Sequence, residues 1–120
     1  MSESVPLEVA HYLREARHPG GVLKDFVLPC LDLSVSQAAR DLGVSRQTLH
    51  RIFDSSASVT PEMAVRLEAL CGISAMFWLE LQCAYELGNA RSSLAQLLPL
   101  IPQYCLPNKV IKKLGATDGR

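Results

Sequence analysis

Apolar residues recur along this chain at helical spacing, in short runs punctuated by proline, glycine and serine, and no pair of alternating strands can be read. Ser4-Val5-Pro6 has the form of a helix start, and Val5, Val9, Tyr12, Leu13 and Ala16 follow on one face. His18-Pro19-Gly20-Gly21 breaks that helix. Val22, Leu23, Phe26 and Val27 give the next one its apolar side, and Pro29 is expected to end it. Ser34-Val35-Ser36-Gln37 has the pattern of a capping box, in which Ser34 and Gln37 satisfy each other's backbone donors. A helix through Asp41 follows, Gly43 stops it, and Ser45 caps another that runs to about Phe53.

Thr60-Pro61-Glu62 opens the next helix, with Pro61 at its first position and an acid near the positive dipole end. Met63, Ala64, Leu67, Leu70 and Cys71 form its core face, and Gly72 closes it. Ser74 caps the longest helix, to about Ser92. Phe77, Trp78, Leu81, Ala84 and Tyr85 make one apolar face of it; Leu79, Cys83 and Leu87 make a second. A helix apolar on two sides is buried on two sides, and in a short chain the second side suggests a partner subunit. Beyond it Leu94, Leu97, Leu98, Leu100 and Ile101 are strongly apolar, but Pro99, Pro102 and Pro107 forbid one continuous helix. Asn108 can cap a short basic helix bearing Lys109, Lys112 and Lys113, which read as a solvated tail more readily than as a contact surface for a polyanion.

The stretch 35–52 has the spacing of a helix-turn-helix. Ala39 is small where two helices must cross, Gly43 supplies a permissive turn, and Leu42, Val44, Leu49 and Ile52 fill the wedge. The outward side of the second helix is as informative: Arg46, Gln47, Thr48, His50 and Arg51 are hydrogen-bonding and none is acidic. Arg pairs with guanine acceptors and Gln with adenine, so these five are the candidate base contacts. His50 has two readings, a DNA contact or a residue facing water. Ser34, Ser36, Gln37 and Ser45 lie at helix starts, where backbone amides and hydroxyls hold phosphate. Trp78, Leu81 and Tyr85 are the candidate dimer contacts, with Trp78 placed in the core or at the dimer seam.

Composition narrows the classes. With 120 residues the chain suits one hydrophobic core, and 48% hydrophobic with 20% charged residues is globular rather than disordered. Twelve bases balance twelve acids, which neither favours nor forbids a DNA binder, since a basic face can coexist with acids elsewhere. Cys30, Cys71, Cys83 and Cys105 lack paired zinc-type spacing and read as small buried apolar residues in a reducing compartment. No secretory signal and no membrane span is evident, so a cytoplasmic protein is expected. Without a glycine-rich phosphate loop or a spaced ligand cluster, no catalytic residue, metal or cofactor is assigned.

The run His18-Pro19-Gly20 with Val22-Leu23-Lys24-Asp25-Phe26 resembles the opening of the HigA-type antitoxins, the VapI group of phage-repressor-like regulators. Val44-Ser45-Arg46-Gln47-Thr48-Leu49, Thr60-Pro61-Glu62-Met63-Ala64, Arg66-Leu67-Glu68, Ser74-Ala75 and Phe77-Trp78-Leu79-Glu80-Leu81-Gln82 match the same pattern, as do Tyr85 and Ala90-Arg91. The resemblance covers residues 18–91. It implies an all-α, five-helix domain over 18–92, with an N-terminal helical extension (1–17) and a C-terminal extension (93–120). It further implies a homodimer on a palindromic operator, with recognition helices about 34 Å apart, repression of its own operon, and neutralisation of a HigB-type toxin that cleaves messenger RNA. After Phe53 the family carries Asn-Gly, then a basic residue and another glycine, where this chain has Asp54-Ser55-Ser56-Ala57-Ser58. The exchange weakens phosphate attraction and requires Ser55 or Ser58 to turn left-handed, unless the loop differs. Two further readings stand beside the antitoxin: a free-standing repressor without a toxin, and a partner-binding module with weakened DNA binding.

Overall fold

The computed structural model describes residues 17–116, so the helix expected from Ser4 lies outside the described residues. Helix α1 is a composite of Pro19–Val22, a π-helical turn Leu23–Val27 and Leu28–Leu31. It is followed by α2 (Val35–Leu42), α3 (Arg46–Phe53), α4 (Pro61–Cys71) and α5 (Ala75–Ser93), then by a 3₁₀ turn (Leu98–Leu100) and α6 (Asn108–Leu114). The architecture is all-helical.

Each helix start is fixed locally. Ser34, Ser45, Thr60 and Ser74 have extended or near-extended backbone, and each hydroxyl accepts from the backbone N–H three residues on. Gly43 (φ 74°) and Gly72 (φ 81°) end α2 and α4 in the left-handed conformation that glycine adopts at low cost. Half of the expected capping box forms. Ser34 Oγ accepts from Gln37 N at 3.1 Å, but the Gln37 side chain donates to Asp41 Oδ1 at 2.7 Å and accepts from Arg40 at 2.8 Å. Partners one turn along its own helix take the amide away from the Ser34 backbone.

Pro29 does not end α1. The chain continues through Leu31 and stops at Asp32, which turns left-handed at φ 53°. The wide turn before Pro29, where Leu28 N–H donates to Leu23 O, interrupts the regular ladder where a proline has no N–H to contribute. His18, rather than only breaking a preceding helix, starts α1: its Nδ1 accepts from Gly20 N at 3.0 Å.

The core lies where α1, α2, α3, α4 and α5 meet, around Val22, Leu23, Ala38, Ala39, Leu49, Ile52, Leu67, Trp78 and Leu81. Ala39 sits buried in the α2–α3 wedge with Leu42, Leu49 and Ile52. Gly20 lets α1 touch the backbone of α3, since a Cβ there would fall 2.0 Å from Ile52 O. The expected burial of the cysteines fails, since Cys30, Cys83 and Cys105 are exposed and Cys71 is half-buried, while all four are free of disulfides. They lie on helix faces and an arm that this single chain leaves uncovered. Burial does raise the pKa of the one partly enclosed thiol, Cys71.

Candidate nucleic-acid interface

The turn between α2 and α3 is held at both ends. Ser45 starts α3, and its Oγ also shares a 2.8 Å hydrogen bond with Thr48 Oγ1. From α4, Arg66 Nη1 donates to Leu42 O at 2.7 Å, satisfying a carbonyl at the end of α2 that its own helix leaves open. Glu62, one turn back on α4, holds the other arm of that guanidinium at 3.1 Å. Arg66 therefore braces the turn from a third helix.

Helical geometry sorts α3 into two sides. Leu49 and Ile52 point into the core and are buried. Gln47 and Arg51, one turn apart, lie opposite them, with Arg46 and His50 as the adjoining row. All four are exposed, and α3 has no acid in its first turn. Thr48 is half-buried on the flank and engaged with Ser45. The His50 ring meets Phe53 edge-on at 5.8 Å, which orients an otherwise exposed imidazole. Ser34 and Ser45 are exposed at the starts of α2 and α3, whereas Ser36 and Gln37 are half-buried. Gln37 already uses both ends of its amide within α2, so a phosphate contact by it requires exchanging those bonds.

The loop after α3 takes one of the two forms expected of it. Ser55 is left-handed at φ 66°, and Asp54 accepts from Ser56 N at 3.0 Å and from Ser56 Oγ at 2.6 Å. Those two bonds, with a smaller contribution from Arg51 and His50, hold the Asp54 carboxyl below the usual aspartate range. A fixed negative charge thus stands at the end of α3.

Three further polar side chains, none assigned a role from the sequence, tie neighbouring elements together. His18 is buried against Tyr85, the rings edge-to-face at 5.0 Å. Burial pushes its pKa below 6.5, only partly offset by a hydrogen bond with the Ala57 backbone and by the Glu86 charge. Gln82, also buried, accepts from Val59 N at 2.8 Å and ties the loop after α3 to α5. Glu68 accepts from Ala75 N at 2.9 Å at the start of α5. These pairs bridge separate elements, and only a capping-type polar residue beside an apolar run hints at them.

The dimer candidates divide. Trp78 and Leu81 are 0% exposed within a single chain, so neither has surface to offer a partner; Trp78 occupies the core, the first of its two expected places. Tyr85 is half-buried on His18. The opposite side of α5 is where apolar surface remains: Met76, Cys83 and Leu87 are exposed and Leu79 partly so.

Among the described residues no cluster of His, Cys, Asp and Glu is arranged to hold a metal ion, and no helix is long and apolar enough to cross a membrane.

Comparison with known proteins agrees with this geometry. The family described as "Helix-turn-helix domain" matches residues 8–75. Virulence-associated protein A of Dichelobacter nodosus is 36% identical over 78 residues, 64% of this chain and 76% of the relative. The helix-turn-helix transcriptional regulator YddM of Escherichia coli (strain K12) is 32% identical over 83 residues, 68% of this chain and 87% of the relative. Among solved structures, the Pseudomonas aeruginosa antitoxin HigA, determined with the higBA promoter, superposes with a TM-score of 0.68 at 32% identity, covering 74% of this chain and 97% of that one.

Proposed function

The chain belongs to the helix-turn-helix domain family and resembles its HigA-type antitoxins, and from that premise we propose that it is a sequence-specific DNA-binding repressor of its own operon. The observation that carries the reading is the outward side of α3, where Arg46, Gln47, His50 and Arg51 stand exposed opposite buried Leu49 and Ile52. In this reading Arg46, Gln47, Thr48, His50 and Arg51 contact base edges, while Ser34, Ser36, Gln37 and Ser45 position the phosphates. The likeness to an antitoxin solved with promoter DNA supports DNA as the ligand. No chemistry is required of the chain, consistent with a regulator family rather than an enzyme.

Residues 18–92 form the DNA-binding and dimerising unit, and 93–120 an extension. The protein acts in the cytoplasm as a homodimer on a palindromic operator, and it neutralises a HigB-type toxin. The dimer contact lies on the outer side of α5. The Asp54 charge beside Arg51 favours a lower operator affinity than a basic loop would confer, which keeps a mainly partner-binding role as the second reading.

The test is a reporter driven by the DNA just upstream of the gene. The intact chain should silence it, and Arg46→Ala or Gln47→Ala should relieve the silencing while leaving the protein folded. Silencing that survives both substitutions would remove α3 from the account. Co-purification with a small ribonuclease encoded beside the gene separates the antitoxin from the free-standing repressor.

A further inference from the structure

We propose that the arm from Leu94 to Ala116 is exchanged between two copies of this chain, each arm lying on the outer apolar stripe of its partner's α5. The proposal rests on the homodimer put forward above and specifies what covers that stripe.

Two apolar surfaces of one chain stand open. The first is the stripe Met76, Leu79, Cys83 and Leu87, which recurs every three to four residues along α5 on the side away from Trp78 and Leu81. The second is the arm. Leu94, Leu97, Leu98, Leu100, Ile101, Tyr104, Leu106 and Leu114 are 42% to 86% exposed, and together they offer roughly the 800 Å² per partner of a standard interface. A monomer seldom leaves so much apolar surface of one segment to water. None of the arm's described residues is buried, and only Val110 and Ile111 are partly so.

Packing stripe against stripe would leave both arms bare. Exchange covers both surfaces at once, and it does so reciprocally about a two-fold axis. Charge points the same way. From Leu87 to Ala116 the chain has Arg91, Lys109, Lys112 and Lys113 and not one acid, while the whole chain is neutral, so the remainder is net negative. Glu80 is exposed on α5 beside the stripe, where it can receive a lysine of an incoming arm; Glu86, on the other side, already accepts from Ser58 Oγ at 3.3 Å. Proline at 99, 102 and 107 restricts the backbone of the segment and limits the entropy lost when it docks.

The test uses two native thiols. In a Cys30→Ala, Cys71→Ala background, Cys83 reports the stripe and Cys105 the arm. Light and heavy isotope-labelled full-length chains are mixed, equilibrated, treated with a short bismaleimide and read by peptide mass spectrometry. Exchange predicts Cys83–Cys105 links that join light to heavy chains. Links only within one isotope, or Cys83–Cys83 links alone, would overturn it. In parallel, Leu100→Asp with Ile101→Asp should weaken dimerisation about tenfold or more by sedimentation while helical content is unchanged. A dimer as tight as wild type would show the arm to be idle, with the dimer itself intact. A wild-type chain that stays monomeric would sink the dimer and the arm together. Weakened DNA binding with normal dimerisation would assign the arm to phosphate contact instead.

Discussion

The five-helix domain and the arm that follows it use the same residue types to opposite ends. In the domain, Leu49, Leu67 and Leu81 are fully enclosed; in the arm, Leu100 is 75% and Leu114 69% exposed. Helices α1 to α5 meet around one centre, so an apolar face on each finds partners in the same chain. The arm meets proline every few residues, and none of its described residues is buried. Leucine alone does not make a core: the difference lies in whether topology returns another surface to it. One region therefore closes its own core, and the other leaves its leucines at the surface.

The largest effect separates the two regions directly. Leu49→Ala should cost about 3 kcal/mol in urea unfolding, because transfer and cavity contributions add at a fully enclosed site. Leu100→Ala should change monomer stability by less than about 0.5 kcal/mol. Equal costs would erase the distinction. Next comes Gly20→Ala, whose new methyl would collide with Ile52 O; a loss of up to about 3 kcal/mol is expected, with α1 displaced from α3. Near-wild-type stability would mean that α1 does not approach the recognition helix so closely.

Gln82→Ala should cost about 2 kcal/mol, since it strands the buried Val59 N–H. The opposite sign is expected at Ser55, where φ is 66°: Ser55→Gly should stabilise by roughly 1 kcal/mol by relieving a left-handed non-glycine residue. A destabilised Ser55→Gly protein would contradict the loop conformation. The gentlest test is pH. Because the folded His18 pKa lies below 6.5, the folded state binds fewer protons than the unfolded one. The His18 contribution is therefore fully present above pH 6.5 and declines as pH falls through the folded value. His18→Asn, which keeps a capping side chain, should flatten that part of the stability profile.

What could be read from sequence was whatever is settled within a turn or two of the chain. Ser34, Ser45, Thr60 and Ser74 begin helices, and Gly43 and Gly72 end them, because caps and left-handed turns are local devices. A left-handed residue at Ser55 or Ser58 was expected from the glycines the family carries there, and it falls at Ser55. Pro29 was misleading because its effect depends on a π turn formed upstream. Trp78 and Leu81 were misassigned in part because helical periodicity identifies a stripe without saying whether it meets its own chain or another. Arg66 on Leu42 O and Gln82 on Val59 N bridge separate helices and loops, so no local pattern contains them. The polar, acid-free side of α3 was visible at once, yet which of its atoms meet a base depends on a partner as well as on the chain.

The most direct measurement is a binding titration of the intact protein against the DNA upstream of its own gene and against scrambled DNA, each at two salt concentrations. The account predicts a preference of about a thousandfold or more for the upstream sequence. Both affinities should fall as salt rises, and Gln47→Ala should remove most of the preference while retaining the non-specific binding. Equal affinity for the two DNAs at both salt concentrations would contradict a sequence-reading α3 and leave the protein as a partner-binding module.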